Sequence, residues 1–598
     1  MEIMENKKTL KIGRSDFGLI VKNNHYFVDK TMLIYDFYNN ANDIVLFSRP
    51  KRFGKTLNLS MVEHFFDIQK LGSKELFSEF EIAKKQEFCN EHQNKYPVIN
   101  ISLKSVKGTN WEKCLDKFKS QISKLYQNND FLMSSDKLSK VDKQIFERIV
   151  LKTANEAEYK ESLESLSSYL EKHFYQKVII LVDEYDTPII NAFNNTNNPI
   201  KSEDKENKTY YEKTIEFMQG FLGDAYKENS ALLKGMLTGV MRVGKESIFS
   251  EWNNFKVFDI TSTYFSDKFG FTNEEVNRIL DYYDLNEQQS EIQKWYNGYK
   301  FGNVESIYNP WSIVNYIEYN SDGFKPYWVN SGDYSLIKSR IIEYGVKETV
   351  QDLIEGKAID KELKDNFVFQ DFETNNELIW TLLTDNGYLT QIEKGKYGNY
   401  ELKIPNNEVK IVFTDIIMTW LNGVVKLKRE LLIKTAENLI NNEIQEFSTG
   451  FKKIIGDTLS YYDTAKKTDK NSKQEIVTPE NIYHVYTLGL LAILCDDYMI
   501  KSNRESGNGR YDIALIPYDK SKYGVVIEIK SIEKQKKNEN EKDFKNRVNN
   551  ELDNALKQIE RNKYFKELID NKIELDKIIN IPIVFAGKEP YIHKITND

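Results

Sequence analysis

Short apolar runs alternate with helical stretches through the first 280 residues. The runs predicted to be strands are DIVLFS (43–48), YPVINISL (96–103), KVIILVDEYD (177–186), LKGMLTGV (233–240) and FKVFDIT (255–261). An alternation of strands and helices predicts a parallel sheet with helices on both faces. We therefore predict that residues 1–280 form one α/β domain.

The pattern changes in the middle of the chain. The stretch NELIWTLLTDNGYLTQIEKGKYGNYELKIPNNEV (376–409) predicts a helix followed by a hairpin that turns at KYGNY. A helix followed by a two-stranded wing indicates a winged-helix-like module. We assign residues 281–420 to a helical and winged-helix-like region, and residues 421–475 to a helical linker with a polar end.

Residues 476–598 have the pattern of a small α/β domain. An apolar helix, NIYHVYTLGLLAIL (481–494), comes before two strands, RYDIALIPY and YGVVIEIKSI. A helix over residues 549–568 and a final strand over residues 578–589 follow. This order of helix, strand pair, helix and strand predicts a compact domain distinct from the first sheet.

Composition excludes some classes of protein. A chain of 598 residues is too long to fold around a single hydrophobic core, since a domain usually holds ~100–200 residues. The 83 Lys and Arg against 91 Asp and Glu give a net charge of -8, which argues against a protein that coats nucleic acid, although a local basic groove stays open. Three widely spaced cysteines indicate neither a disulfide framework nor a zinc cluster. The chain lacks an apolar run of ~18 residues, so we expect a cytoplasmic protein without a membrane anchor.

The segment SRPKRFGKTLNLSM (48–61) has the pattern of a phosphate-binding loop. A strand leads into a turn, and a helix begins after Gly54, so backbone N–H groups would converge on phosphate oxygens. Lys55 would reach the β- and γ-phosphates, and the Thr56 hydroxyl would bind Mg²⁺. Arg49 occupies the position of the usual first glycine, so a chance match stays open. The predicted nucleotide-binding residues here are Arg49, Lys51, Arg52, Phe53, Gly54, Lys55 and Thr56.

The strand KVIILVDEYDTPI predicts the metal side of the same site. Asp183 would hold Mg²⁺ through water, and Glu184 would act as the base that polarises the attacking water. The competing interpretation is a buried strand with a solvated acidic end. The extra strand VINISL lies between the two motifs along the chain, which fits the ATPases in which a strand separates the two motif strands.

A third polar strand end follows at MLTGVMRVGKESIF (236–249). Thr238 would sense the γ-phosphate, and Arg242 would stabilise the charge that develops during transfer. A surface salt bridge is an equally good interpretation of Arg242.

Six segments together resemble the bacterial AAA-ATPase-like family: YFVDKTMLI, SRPKRFGKTLNLSM, LVDEYDTPI, LTGVMRVGKESIFS, FGFTNEEV and YNGYKFG with YNPWSIVNYI. The resemblance covers roughly residues 8–320. Members of that family carry arginine and proline where the first glycine would be, so the resemblance makes Arg49 a family trait. It implies a P-loop NTPase sheet, ATP binding and ATP hydrolysis.

Acidic residues near the C-terminus predict a second chemistry. Asp512 begins one strand, and Glu528 and Lys530 lie two residues apart on the next strand, so they share one face. Two carboxylates beside an amine suit a divalent cation and phosphodiester hydrolysis. Because such residues are abundant here, a solvated strand face is the competing interpretation.

The C-terminal pattern resembles the PD-(D/E)xK nuclease core, which is a restriction-endonuclease-like fold. The resemblance implies that Asp512 and Glu528 are metal ligands for Mg²⁺ or Mn²⁺, and that Lys530 is catalytic. It also implies a role for Gln558, which family members carry near the site before a tyrosine that matches Tyr564. Glu480 or His484 could approach the metal, although packing is the preferred role of each.

The sequence thus predicts an ATP-binding and ATP-hydrolysing P-loop domain that is coupled to a metal-dependent nuclease. The expected partners are ATP and either DNA or RNA, and a homo-oligomer is left open. A role in defence against foreign DNA or in mobile-element biology follows from the architecture alone. The alternative is a nucleotide-dependent switch whose C-terminal domain binds nucleic acid or protein without cleavage.

Overall fold

The structure, a computed structural model, describes residues 7–196, 208–241, 248–249, 252, 254–328, 347–354, 356–364, 371, 375–395, 398–413, 429–459, 483, 487, 490–494, 497–502, 505–506, 509–536, 538–587 and 589–592. The chain forms two compact units. The first comprises Met1–Arg340 with Ala358–Val409, and the second comprises Ile341–Lys357 with Lys410–Asp598. The four domain ranges assigned from the sequence remain a prediction.

A five-stranded parallel sheet forms the centre of the first unit, as predicted. Its strands are β1 Ile44–Ser48, β2 Val98–Ser102, β3 Val178–Asp183, β4 Leu232–Gly239 and β5 Phe255–Phe258. They lie in the order β2-β3-β4-β1-β5, with every neighbouring pair parallel. The strand that separates the two motif strands is therefore β4. The VINISL segment forms β2, which pairs with the outer side of β3 instead.

Helices cover both faces of this sheet. Met236 of β4 belongs to one apolar cluster with Met61, whereas its neighbour Gly235 faces the ring of Tyr226. Successive residues of a strand point to opposite faces, so these contacts lie on two sides of the sheet. The helices are α1 Phe17–Lys22, α2 Met32–Tyr38, α3 Lys55–Phe66, α4 Gln86–His92, α5 Trp111–Gln127, α6 Lys140–Val150, α7 Glu156–Lys160, α8 Ser162–Phe174, α9 Thr187–Thr196 and α10 Tyr210–Tyr226.

The middle of the chain adds two small sheets. Strands β6 Phe271–Thr272, β7 Tyr299–Phe301 and β8 Val304–Tyr308 form one, and β9 Ile359–Glu362, β10 Thr390–Lys394 and β11 Asn399–Lys403 form the other. The helices here are α11 Asn273–Tyr283, α12 Gln289–Tyr296, α13 Pro310–Glu318, α14 Lys347–Ile354 (which belongs to the second unit) and α15 Leu378–Asp385.

The predicted helix and hairpin are confirmed. Helix α15 comes before β10 and β11, which pair antiparallel. A third strand, β9, completes this sheet by pairing with β11. The sequence did not indicate β9, because four residues reading IDKE have neither the length nor the apolar alternation of a strand.

The second unit contains a mixed sheet in the order β12-β15-β16-β17-β18. Its strands are β12 Tyr498–Ser502, β15 Ile513–Pro517, β16 Gly524–Ile532, β17 Ile578–Ala586 and β18 Glu589–Ile592, and the short pair β13 Glu505–Ser506 and β14 Gly509–Arg510 lies outside it. The helices are α16 Arg429–Ile440, α17 Ile444–Leu459, α18 Glu541–Asn562 and α19 Lys566–Asp570. Within the helix predicted over 481–494, the described residues 483, 487, 490 and 491 are helical.

Helix α18 begins eight residues before the predicted start at 549. The Asn540 side chain accepts a hydrogen bond from the backbone N–H of Asp543, and Glu541 and Asp543 occupy the first turn. A side-chain cap with acidic residues behind it stabilises a helix N-terminus. Residues 541–547, the end of the lysine-rich stretch KSIEKQKKNENEKDFKNR (530–547), are therefore helical. Throughout the described part of the chain, every helix is too short or too polar to span a lipid bilayer.

Candidate functional sites

The phosphate-loop pattern lies where β1 ends and α3 begins. The turn between them ends at Gly54, which has φ +86° and directly precedes Lys55, the first residue of α3. A Cβ built on Gly54 would meet no described atom within 4 Å, so the left-handed backbone alone favours glycine there. The turn therefore leads directly into the N-terminus of α3, and a helix N-terminus suits an anion.

Lys55 lies inside the loop. Its side chain is 7% exposed, and Nζ donates hydrogen bonds to the carbonyls of Arg49 at 2.7 Å and Pro50 at 2.8 Å. Burial lowers the pKa of Lys55 to about 8, although the nearby carboxylates of Asp186 and Asp183 oppose that shift. The ammonium group is thus held by carbonyls of its own loop, where an incoming phosphate would be a stronger partner.

Three predicted residues meet at the C-terminal edge of the sheet. The carboxylate of Asp183, at the end of β3, is buried and accepts hydrogen bonds on both oxygens. The Thr56 hydroxyl donates to Oδ2 at 2.8 Å, and the Thr238 hydroxyl donates to Oδ1 at 2.6 Å. A hydroxyl from the phosphate loop beside a carboxylate is an oxygen donor set of the kind Mg²⁺ prefers. These residues therefore fit the expected magnesium site.

Glu184 leaves the strand in a left-handed conformation, with φ +52°. Its side chain is half-buried, and Thr187 Oγ1 donates to Oε2 at 3.1 Å. A non-glycine residue with such a φ is uncommon, and strain of this kind concentrates at functional sites. The carboxylate stays within reach of water beside Asp183, which is what a general base requires.

Asp186 is a candidate site residue that sequence reasoning missed. Its buried carboxylate accepts hydrogen bonds from the backbone N–H groups of Val240 at 2.8 Å and Met241 at 2.9 Å. Burial raises the pKa of Asp186. Among the nearby carboxylates, Asp186 contributes most to opposing the lowered pKa of Lys55. The second aspartate of DEYD was the available signal. Arg242, which follows Met241, lies outside the described residues.

Arg49 is buried beneath the loop. Its Nη1 donates to the carbonyls of Ser48 at 2.8 Å and Phe258 at 2.7 Å, and its guanidinium lies 5.2 Å from the centre of the Phe301 ring. Burial lowers the pKa of Arg49 to about 10. The side chain therefore braces the loop against β5, whereas the sequence led us to expect charge around an anion. Lys51 and Arg52 are exposed, and Phe53 is buried.

A buried carboxyl group lies behind the loop. Glu408 is inaccessible to solvent, and it accepts hydrogen bonds from the backbone N–H of Trp328 at 2.6 Å and the Ser312 hydroxyl at 2.8 Å. Burial raises the pKa of Glu408 to about 8. The carboxyl is therefore largely protonated at neutral pH in the folded protein.

We expect Glu408 to make the stability of the first unit fall as pH rises. The unfolded side chain ionises near its ordinary pKa of about 4.5, whereas the folded one keeps its proton until about pH 8. Between these values the unfolded state binds fewer protons, so the free energy of unfolding decreases by about 1.4 kcal/mol per pH unit. Thermal unfolding at pH 5.5 and 7.5 tests this, since Glu408→Gln should flatten the pH dependence. Glu401→Gln, at an exposed position of β11, should not.

The C-terminal carboxylates also converge. Ile513 pairs with Ile527, which brings Asp512 next to Glu528 on the neighbouring strand, and Oδ2 of Asp512 accepts the backbone N–H of Ile529 at 2.6 Å. The Glu528 side chain is 2% exposed, and Oε1 accepts the Lys530 ammonium at 2.7 Å. Burial, followed by the charge of Asp512, raises the pKa of Glu528 to about 7.

The second oxygen of Glu528 supports a cation site. Among the described residues, no hydrogen-bond donor reaches the buried Oε2. An unsatisfied buried carboxylate oxygen is costly, and a divalent cation shared with Asp512 would satisfy it. The described residues contain no cluster of three or more His, Cys, Asp or Glu that could hold a metal. Glu480 and His484 lie outside them.

Gln558 is tied to the predicted tyrosine. Its Nε2 donates to the Tyr564 hydroxyl at 3.0 Å, and Asn562 Nδ2 donates to the same oxygen at 2.9 Å. Sequence reasoning missed a second polar group behind Asp512, where the Tyr511 hydroxyl donates to Oε2 of Glu567 at 2.6 Å and Lys501 pairs with Oε1. No motif connects these residues along the chain, so nothing in the sequence pointed to them.

The two folds define a nucleotide-binding, nuclease-like protein. Residues 11–249 match the AAA-ATPase-like family model, described as predicted AAA-ATPase, and residues 478–594 match the PD-(D/E)XK nuclease superfamily. The chain therefore combines an AAA-ATPase-like region with a PD-(D/E)XK nuclease-like region, as predicted. It is also similar to a protein of Azotobacter chroococcum mcd 1 described as an uncharacterized protein in the vnfD 5' region, with 25% identity over 420 residues, 69% of this chain and 70% of that protein.

Proposed function

We propose that this protein binds and hydrolyses ATP at the loop of residues 49–56, and that the nucleotide controls metal-dependent cleavage of DNA or RNA at its C-terminal carboxylates. The observation that carries the ATP site is the Asp183 carboxylate, which bonds both Thr56 and Thr238. One carboxylate thereby joins the phosphate loop, the acidic strand and the third polar strand end.

Each residue of the ATP site has a defined task. Lys55 exchanges the carbonyls of Arg49 and Pro50 for phosphate oxygens, and Glu184 accepts a proton from the attacking water. Thr56 and Asp183 hold Mg²⁺, which would offset charge on the phosphates. Thr238 senses the γ-phosphate and is hydrogen-bonded to Asp183. Arg242 supplies a positive charge to the transferring group. Lys51, Arg52 and the backbone from Phe53 to Gly54 complete the nucleotide contacts.

The C-terminal site would hydrolyse a phosphodiester bond. Asp512 and Glu528 hold a Mg²⁺ or Mn²⁺ ion, which when bound would polarise the scissile phosphate. Lys530 lies beside Glu528 and stabilises the negative charge that develops there. Gln558 orients the nucleic acid from α18 through its contact with Tyr564. The function would serve defence or mobile-element biology in the cytoplasm.

One observation favours the alternative function, a nucleotide-dependent switch. The described residues bring only two carboxylates together in the C-terminal site, so a cation there would rely on water and phosphate for its other ligands. A site with a weakly held cation could bind nucleic acid, or a protein partner, without cutting it. In that case the ATP cycle would control binding instead of cleavage.

The two functions differ in a cleavage assay. The purified protein is incubated with plasmid, single-stranded DNA and RNA in Mg²⁺ or Mn²⁺, with and without ATP. We expect cleavage by the wild type, no cleavage by Lys530→Ala, and loss of the ATP dependence in Lys55→Ala. Lys522→Ala, before the opposite end of β16, is the matched control and should cleave normally. ATP hydrolysis without cleavage under any condition would support the switch.

A further inference from the structure

The phosphate loop is held on its outer side by residues 299–328, 387, 388 and 408 of the same compact unit. The indole N–H of Trp328 donates a hydrogen bond to the carbonyl of Lys51 at 3.1 Å. The buried ring of Phe53 lies against two aromatic rings, with centroids 5.0 Å from Tyr299 and 5.3 Å from Phe301. The backbone and a side chain of the loop are therefore both anchored outside the sheet.

Two further contacts complete this anchorage. The Arg52 guanidinium lies 3.9 Å from the centre of the Trp311 ring, which is the geometry of a cation–π contact. Gly387, with φ +82°, packs so closely on Pro50 that an added Cβ would lie 2.9 Å from the proline Cβ. Every residue from 50 to 53 thus contacts one of these supporting residues.

Trp328 is itself fixed in place. Its side chain is 5% exposed and its ring lies 5.0 Å from that of Tyr388. Its backbone N–H donates to Glu408, whose other oxygen accepts the Ser312 hydroxyl. Because both the backbone and the ring are held, the indole N–H has a fixed direction toward Lys51.

The loop needs such support when nucleotide binds. Arg52 and Gly54 both have positive φ values, of 70° and 86°, so the turn is strained at Arg52 unless its surroundings hold it. The Lys55 ammonium now bonds the carbonyls of Arg49 and Pro50. Once that ammonium moves to a phosphate, those two carbonyls lose their partner, and the next carbonyl, that of Lys51, remains held by Trp328.

We propose that Trp328 is a positioning residue of the nucleotide site, and that the residues that hold it, Ser312, Tyr388 and Glu408, regulate ATP affinity through its hydrogen bond to Lys51. This inference rests on the proposed function, because it requires ATP to bind at the loop. Trp328 acts through the loop backbone and does not touch the nucleotide. By linkage, anything that displaces Trp328 weakens ATP binding, and bound ATP resists the displacement to the same degree.

The test is the full-length Trp328→Phe variant, which keeps an aromatic ring but removes the N–H donor. We expect an increase of about tenfold in the Kd and KM for ATP, since one partly buried hydrogen bond is lost, with a kcat within about twofold of wild type. Trp295→Phe is the control, because Trp295 lies in the same compact unit but stacks on Phe324 instead of contacting the phosphate loop. Calorimetry with ATP and steady-state hydrolysis measure both quantities, and thermal unfolding compares the two variants.

Each outcome is decisive. A wild type that does not bind ATP overturns the proposed function and this inference with it. A wild type that binds ATP, together with an unchanged Kd in Trp328→Phe, overturns this inference alone. If Trp328→Phe lowers both kcat and the unfolding temperature, the substitution has damaged the fold in general. That result also contradicts the inference. If Trp328→Phe does not fold, Ser312→Ala loosens the same support, and an unchanged Kd there leads to the same rejection.

Discussion

Glu184→Gln is expected to lower kcat for ATP hydrolysis by at least ~100-fold while ATP still binds. A positioned general base contributes ~10²–10⁴-fold to the rate, and an amide cannot accept the proton. The substitution preserves shape, so the Thr187 hydroxyl keeps an oxygen to donate to, and the phosphate loop is untouched. Steady-state hydrolysis gives kcat, and calorimetry with ATP gives the affinity.

The control for this substitution is Glu112→Gln on the exposed face of α5, which should hydrolyse ATP at the wild-type rate. A Glu184→Gln variant that retains more than a tenth of the wild-type kcat would show that another group activates the water. A variant that loses ATP binding as well would show that Glu184 maintains the structure of the site. The strained backbone at this residue makes that second outcome a real competitor.

The sheet could be predicted because its strands are continuous apolar runs. All five predicted runs form strands, since a parallel sheet buried on both faces requires such runs. Their lateral order could not be predicted from the chain, because any strand can pair with any other through a helical crossover. The strand of Thr238 therefore lies between the two motif strands, a position that its place in the sequence does not reveal.

The residues around the phosphate loop divide in the same way. Gly54, Lys55 and Thr56 have a local signature, because the loop requires those types at that spacing. Arg49 has a sequence position that suggested an anion contact, but its side chain fills a buried space beside Phe258 and Phe301. Packing against residues distant in the chain decides where such a side chain points. This packing produces no periodic pattern in the sequence.

The supporting groups were invisible for a related reason. Trp328 is 277 residues from Lys51, whose carbonyl accepts its indole N–H. Glu408 is 80 residues from Trp328, whose backbone N–H it accepts. Burial of Trp328 is what a large apolar side chain favours, but no sequence pattern pairs a core indole with a loop carbonyl. A buried polar contact between distant segments requires the folded chain.

Glu528→Gln is expected to lower the rate of nucleic-acid cleavage by at least ~100-fold without changing the rate of ATP hydrolysis. The substitution removes one of the two carboxylates, and metal affinity depends on ligand charge as well as number. With its pKa raised to about 7, the buried carboxyl is a costly charge in the metal-free protein. The neutral amide should therefore leave the metal-free second unit at least as stable as the wild type.

Thermal unfolding with and without Mn²⁺ separates loss of the cation from loss of the fold. Mn²⁺ should raise the unfolding temperature of the wild type and of Glu560→Gln, an exposed control on α18, because a ligand that binds only the folded state stabilises it. It should leave Glu528→Gln unchanged. Cleavage by Glu528→Gln at the wild-type rate would place the chemistry elsewhere. A wild type that Mn²⁺ does not stabilise would indicate that the second unit holds no cation and would support the switch, which binds without cutting.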